Sequence, residues 1–243
     1  MPLEVDDPTL ARLLELQAQD TAIKRLEERR ASLPEAARLR EVDAHLAELG
    51  ADLEIARKQH DEIAREQSRL EGEMGLGDQK IAREEQRLFS GAVSNPKELG
   101  ALQAEVAMLK RQRAALEDEL LEVMVHKDQA AETRDSLETE EKALGEEAEQ
   151  LRRSVTQQTA EIDAELEAHG AEREAIAAAG FPEELLKLYE QLRSTKNGVG
   201  AARLESGTCQ GCHTKVPSRE AERMRAEHGL QRCDNCRRIL VIV

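Results

Sequence analysis

The residues of this chain whose types and spacing could do chemistry are four cysteines and a histidine near the C-terminus. Cys209 and Cys212 frame the run CQGCH, and Cys233 and Cys236 follow after twenty intervening residues, giving Cys-x2-Cys-x20-Cys-x2-Cys. Taken alone, Cys209-Gln210-Gly211-Cys212-His213 fits two chemistries, half of a zinc site or the covalent attachment of c-type haem. The rest of the chain discriminates. Haem leaves Cys233 and Cys236 without a role and needs an apolar pocket, whereas Phe89, Phe181 and Tyr189 are the only aromatics and there is no Trp. A zinc ion takes four donors in a tetrahedron, and each Cys-x-x-Cys turn supplies two thiolates. One structural Zn2+ on Cys209, Cys212, Cys233 and Cys236 is therefore expected, with no open position at which water could be activated. His213 and His228 are expected to be bystanders. A thioredoxin-like role would require a βαβ pattern around a Cys-x-x-Cys, and neither pair has one.

The elements that must position these sulfurs are short. Gly211 is expected to give the first turn a positive backbone angle, and Asn235 to do so in the second. Between the pairs, PSREAERMRAEHG reads as a short helix capped by Ser218 and ended by Gly229. The tail RRILVIV is β-branched and apolar, and is expected to pair with a strand around Val199 to Leu204. A segment this small and poor in aromatics cannot build a core unaided. Zinc coordination supplies on the order of 10 kcal/mol to such a fold.

Upstream, 35% of residues are charged and Ala, Glu, Leu, Arg and Lys dominate, the composition of long solvated helices held by a narrow apolar seam. From Val42 a heptad seam runs through Leu46, Leu49, Leu53, Ala56, His60, Ile63, Gln67, Leu70, Met74, Gly77 and Ile81. A second starts at Leu99 and keeps its phase to Ile162, turning polar at Lys127, Arg134 and Glu141. Between the seams, FSGAVSNPKEL breaks both helices, with Asn95 as N-cap and Pro96 in the first turn. Ser32-Leu33-Pro34 interrupts the first arm, with Ser32 near a cap, and Gly72, Gly75 and Gly77 are expected to bend or soften it. Gly180-Phe181-Pro182 ends the second arm before a short amphipathic helix. The fold class is mainly α. Residues 1–180 form a long antiparallel coiled-coil hairpin with its tip near 90–96, residues 181–200 a linker with a short helix, and residues 201–243 a small β-rich zinc ribbon.

The formal net charge is −15, but it lies upstream, because residues 201–243 hold 8 Lys and Arg against 5 Asp and Glu. Four thiolates with one zinc add about −2 to that segment, leaving about +1. Steering of nucleic acid at that charge is weak, and the ribbon has no aromatic on which a base could stack. Arg203, Lys215, Arg232, Arg237 and Arg238 are the candidate contacts to a partner or to nucleic acid, against the plainer reading that they solvate a small domain. The N-terminus has acidic residues where a secretory signal is basic, and no apolar run is long enough to span a bilayer. A cytoplasmic protein without a membrane partner is expected.

The tip SGAVSNPKELGALQAEV, the linker LYEQLR, and CQGCH with CDNCRRIL resemble a bacterial family in which a long coiled-coil hairpin carries a C-terminal four-cysteine zinc ribbon. The resemblance implies a non-enzymatic zinc-binding protein, some members being linked to sigma-54, flagellar or secretion systems, and RNA. Arg237 stands where members of that family usually have Gly. Carboxylate pairs, Ser-His arrangements and phosphate-binding Gly loops do not stand out in the sequence. The expected function is an adaptor or chaperone-like scaffold that presents the ribbon to a protein partner, with transcription as the process. The alternative is a DNA- or RNA-binding regulator acting through the basic ribbon.

Overall fold

The computed structural model describes residues 5–226 and 229–242. Its helices are α1 (Asp7–Ala31), α2 (Pro34–Phe89), α3 (Pro96–Ala178), α4 (Glu183–Thr195) and α5 (Ser218–Ala226), and its strands are β1 (Ala201–Glu205), β2 (Thr208–Cys209), β3 (Gln231–Arg232) and β4 (Ile239–Ile242). Two compact units result, one of Met1–Ala37 with Leu151–Val243 and one of Arg38–Gln150.

In the second unit, α2 and α3 are antiparallel. The ion pairs between them run in opposite chain directions, from Arg38 with Glu147 through Arg57 with Glu138 to Asp78 with Arg113 and Glu85 with Lys110. These exposed pairs each contribute little to stability. The seam carries it, and each of its expected positions from Val42 to Ile81 and from Leu99 to Ala148 is buried or half-buried. Lys127, Arg134 and Glu141 keep the same phase, half-buried, in the polar stretch of α3. Asn95 accepts the Lys97 N–H through Oδ1 at 3.0 Å, and Pro96 opens α3, as the tip sequence predicts. α2 is helical through Gly72, Gly75 and Gly77. Each glycine costs about 1 kcal/mol relative to Ala, and buried Leu70 and Ile81 hold the helix on either side.

In the first unit, Ser32 closes α1 rather than opening α2. Its hydroxyl donates to the Glu28 carbonyl at 2.8 Å and its N–H points at the same turn. Leu33 is thereby buried with Leu26 and Ile162. Strand order is β2-β1-β4-β3, with β1 and β4 parallel in the register Ala201 to Ile239 and both outer pairs antiparallel. Both faces of the central pair are covered, so the tail reads as a continuous apolar run. On one face Ala202, Leu204 and Leu240 join Val216, Ala221, Met224, Cys209 and Cys233 in the ribbon's own core. On the other, Ala201, Ile239 and Val241 pack with Leu10, Leu13 and Leu16 of α1 and Leu185, Tyr189 and Leu192 of α4. The expected limits at 180 and 200 are changes of element, but not of core. Among the described residues, no helix is long and apolar enough to cross a membrane.

Candidate metal centre

Each cysteine pair sits in a turn held by the same two backbone bonds. In the first, the His213 N–H donates to the Cys209 carbonyl at 2.7 Å and the Cys209 N–H to the Thr214 carbonyl at 3.1 Å. In the second, the Arg237 N–H donates to the Cys233 carbonyl at 2.8 Å and the Cys233 N–H to the Arg238 carbonyl at 2.9 Å. Closing these turns places the residue after the second cysteine in the left-handed region, with φ of 57° at His213 and 66° at Arg237. The strained positions are therefore not Gly211 and Asn235, neither of which has a positive φ. Gly211 is needed for room, because a Cβ there would stand 2.7 Å from Arg238 Cδ and 2.9 Å from Ala202 Cβ.

The four sulfurs of Cys209, Cys212, Cys233 and Cys236 lie within 4.8 Å of one another. Cys209 Sγ is 3.9 Å from Cys236 Sγ, and Cys212 Sγ is 3.8 Å from Cys233 Sγ. A tetrahedron with metal–sulfur bonds of about 2.3 Å has sulfur–sulfur edges of about 3.8 Å, so the donor set fits a zinc ion. Burial pushes the Cys209 thiol up to about 12, partly offset by the N–H groups of Gly211 and Cys212 that point at its sulfur. Burial likewise raises Cys233. At Cys212 burial also raises the value, but hydrogen bonds from the Thr214 side chain and backbone, then from Asn235 and Cys236, outweigh it and leave it at about 6. A divalent cation supplies the charge that makes thiolates of all four. Four sulfur ligands fill its coordination sphere, so the ion's role is structural.

Asn235 joins the two turns, donating through Nδ2 to Thr214 Oγ1 at 2.9 Å and to Cys212 Sγ at 3.7 Å. His213 is exposed and outside the sulfur cluster, and His228 lies outside the described residues. α5 begins at Ser218 itself, with the Pro217 carbonyl accepting from Glu220 and Ala221 in the place where Ser218 was expected to cap. Of the five basic contact candidates, Arg203, Lys215, Arg232 and Arg237 are exposed. Arg232 donates to the Arg237 carbonyl at 3.0 Å. Arg238 is half-buried and is a brace inside the fold. Its Nη1 donates to the Gly211 carbonyl at 2.8 Å, its Nε to Val199 at 2.8 Å and its Nη2 to Lys196 at 2.9 Å.

Sequence reasoning missed the polar network on which the ribbon's other face rests. Gln17 and Asp20 of α1 are its buried polar residues. Tyr189 donates to Asp20 Oδ2 at 2.6 Å, and Arg173 and Arg193 meet Oδ1 at 2.7 Å and 3.2 Å. Glu190 takes the remaining reach of both arginines. Burial first, then the bond to Asp20, pushes the Tyr189 phenol well above its ordinary value, so it remains a donor. A Gln and an Asp at i and i+3 of a helix were the available signal, but such polar pairs are common on solvated faces.

The comparisons with known proteins agree with this geometry. A C4-type zinc ribbon model matches residues 208–240, and the centre is one structural zinc site. A solved structure from Mycobacterium smegmatis has a TM-score of 0.82 at 24% identity, covering 99% of this chain and 100% of that one. CT398 from Chlamydia trachomatis has a TM-score of 0.67 at 20% identity, covering 97% and 98%. Both likenesses are of fold. Two uncharacterized proteins of Mycobacterium tuberculosis, MT2288 and Rv2229c, are each 31% identical over 233 residues, covering 94% of this chain and 93% of theirs. With the CT398-like coiled coil hairpin domain matched over residues 16–197, the larger part of its length, this chain belongs to that family.

Proposed function

We propose that the protein is a non-enzymatic, cytoplasmic scaffold, an adaptor or chaperone-like module whose hairpin and zinc ribbon engage a protein partner. The observation that carries this reading is apolar surface off the seams. Leu121, Met124 and Val125 share one stretch of α3 and are 56%, 41% and 55% exposed, and Phe89 at the tip is 80% exposed. Large apolar groups left in water beside a seam that already buries its own set are characteristic of a surface that meets another protein. The filled coordination sphere of a four-sulfur zinc accords with a structural rather than a catalytic metal. Transcription components are the first partner class to try, by analogy of fold with other ribbons.

Affinity capture from the native cell tests the reading. Leu121→Glu with Val125→Glu is expected to abolish capture of a specific partner while helicity and zinc content stay at wild-type levels, because both side chains already face solvent. An unchanged set of captured proteins would overturn it.

A further inference from the structure

The linker between α4 and β1 is held at every carbonyl. Arg238 takes those of Lys196 and Val199. Lys24 of α1 takes that of Asn197 at 2.6 Å, and Gln17 of α1 takes that of Gly198 at 2.9 Å. The Ile239 N–H takes that of Gly200 at 3.0 Å. Gln17 also accepts, through Oε1, the N–H groups of Gly200 at 2.7 Å and Ala201 at 3.2 Å. Five consecutive residues are thus clamped from two sides, by α1 and by one arginine of the ribbon. The fit is close, since a Cβ on Gly200 would stand 2.7 Å from the Tyr189 carbonyl and one on Gly198 2.8 Å from Lys24 Cδ.

The arginine that holds this linker also touches both metal-binding turns. Its guanidinium bonds the Gly211 carbonyl inside the first, and its own carbonyl accepts the N–H of Cys233, a ligand in the second. We propose that Arg238 and Gln17 are positioning residues that couple zinc occupancy to the seating of the ribbon on α1, with the linker 196–200 as the connecting piece. Zinc fixes the turn that presents the Gly211 carbonyl, Arg238 then holds the linker, and the linker's shape lets Gln17 bond Gly198, Gly200 and Ala201 together. Linkage makes the effect reciprocal: a change at Gln17, which bonds neither metal-binding turn, alters how the protein holds zinc. The device makes metal loss a release signal, freeing β1, β4 and α4 from α1.

The test uses the full-length zinc-loaded protein and needs no partner, so its result is independent of the scaffold reading. The equilibrium partition of zinc between the protein and the chromophoric chelator pyridylazoresorcinol is measured for the wild type, Gln17→Met and Arg238→Lys. Both variants are expected to hold zinc about fivefold more weakly or worse, because Met makes none of Gln17's bonds and one ammonium cannot reach three carbonyls. Arg203→Ala and Lys215→Ala, at exposed positions of the same ribbon, are expected to leave the zinc affinity unchanged. Amide exchange on the wild type decides the other direction: chelation is expected to speed exchange in α1 around Leu13 to Asp20 and in α4, but not around Leu49 to Ala56 of α2. Zinc affinity at the wild-type level in folded variants, or indifference of α1 and α4 to chelation, would overturn the proposal. Should Gln17→Met fail to fold, Arg238→Lys and the wild-type exchange still decide it.

Discussion

Arg237 and Gly211 both serve the metal turns, and for opposite reasons. Arg237 carries a side chain in the left-handed region at φ 66°, where a Cβ is crowded by the following carbonyl. Arg237→Gly removes that strain at the cost of a more flexible unfolded chain, and is expected to stabilise the zinc-loaded protein by about 0.5–1 kcal/mol. Gly211 has no such angle, but its missing side chain lets Arg238 lie against the turn, with Ala202 closing the other side. Gly211→Ala is expected to cost about 1–3 kcal/mol, the range for overpacking a tight site. Thermal denaturation of the two variants beside the wild type checks both signs.

At the scale of elements, the sheet's two faces meet different needs. Leu240 completes a core around two of the ligands, while Ile239 and Val241 are buried against α1 and α4. The apolar contact is non-directional, so the seating geometry comes from the polar bonds beside it. Tyr189→Phe keeps the ring and removes the hydroxyl that donates to Asp20 Oδ2 at 2.6 Å and lies 3.3 Å from Gln17 Oε1. A buried acceptor that loses its donor costs about 1–3 kcal/mol, and the loss is expected in the denaturant midpoint of the unit containing α1, α4 and the ribbon. Tyr189, Glu190 and Arg193 are all members of LYEQLR. That run resembled a family linker, and in the fold it is the part of the network that reaches both the helices and the sheet.

For the whole molecule, the two sources of stability are separable. The seam of α2 and α3 is a repeat of apolar contacts, whereas the ribbon depends on two close pairs of sulfurs with twenty residues between them. Cys209→Ser with Cys212→Ser removes half the donors, and zinc binding supplies on the order of 10 kcal/mol to domains of this kind. The double variant is expected to lose its one zinc per chain and its ribbon while keeping most of its helical circular dichroism. Metal analysis and far-ultraviolet spectra on the same sample check the two halves together.

The sequence by itself determined the helical hairpin, its seams, its tip and the zinc ligands. Each of these is a local or periodic signal: a seam repeats every seven residues, Asn95-Pro96 caps a helix it adjoins, and Cys-x-x-Cys is one turn. The polar middle at Lys127, Arg134 and Glu141 was legible for the same reason. Only the tertiary structure decided what the ribbon rests on. Gln17 meets Gly198 and Gly200 across 181 and 183 positions of chain, and nothing near either end marks the pairing. Arg238 was legible as a charge but not as a brace, because a basic residue reads the same whether its partners are solvent, phosphate or three carbonyls. The strained angles at His213 and Arg237 were hidden likewise: turn closure imposes them, and although His enters the left-handed region more readily than most residues, Arg does not announce it. Periodicity and spacing fold the hairpin and collect the sulfurs, and directional bonds between distant residues decide how the ribbon is held.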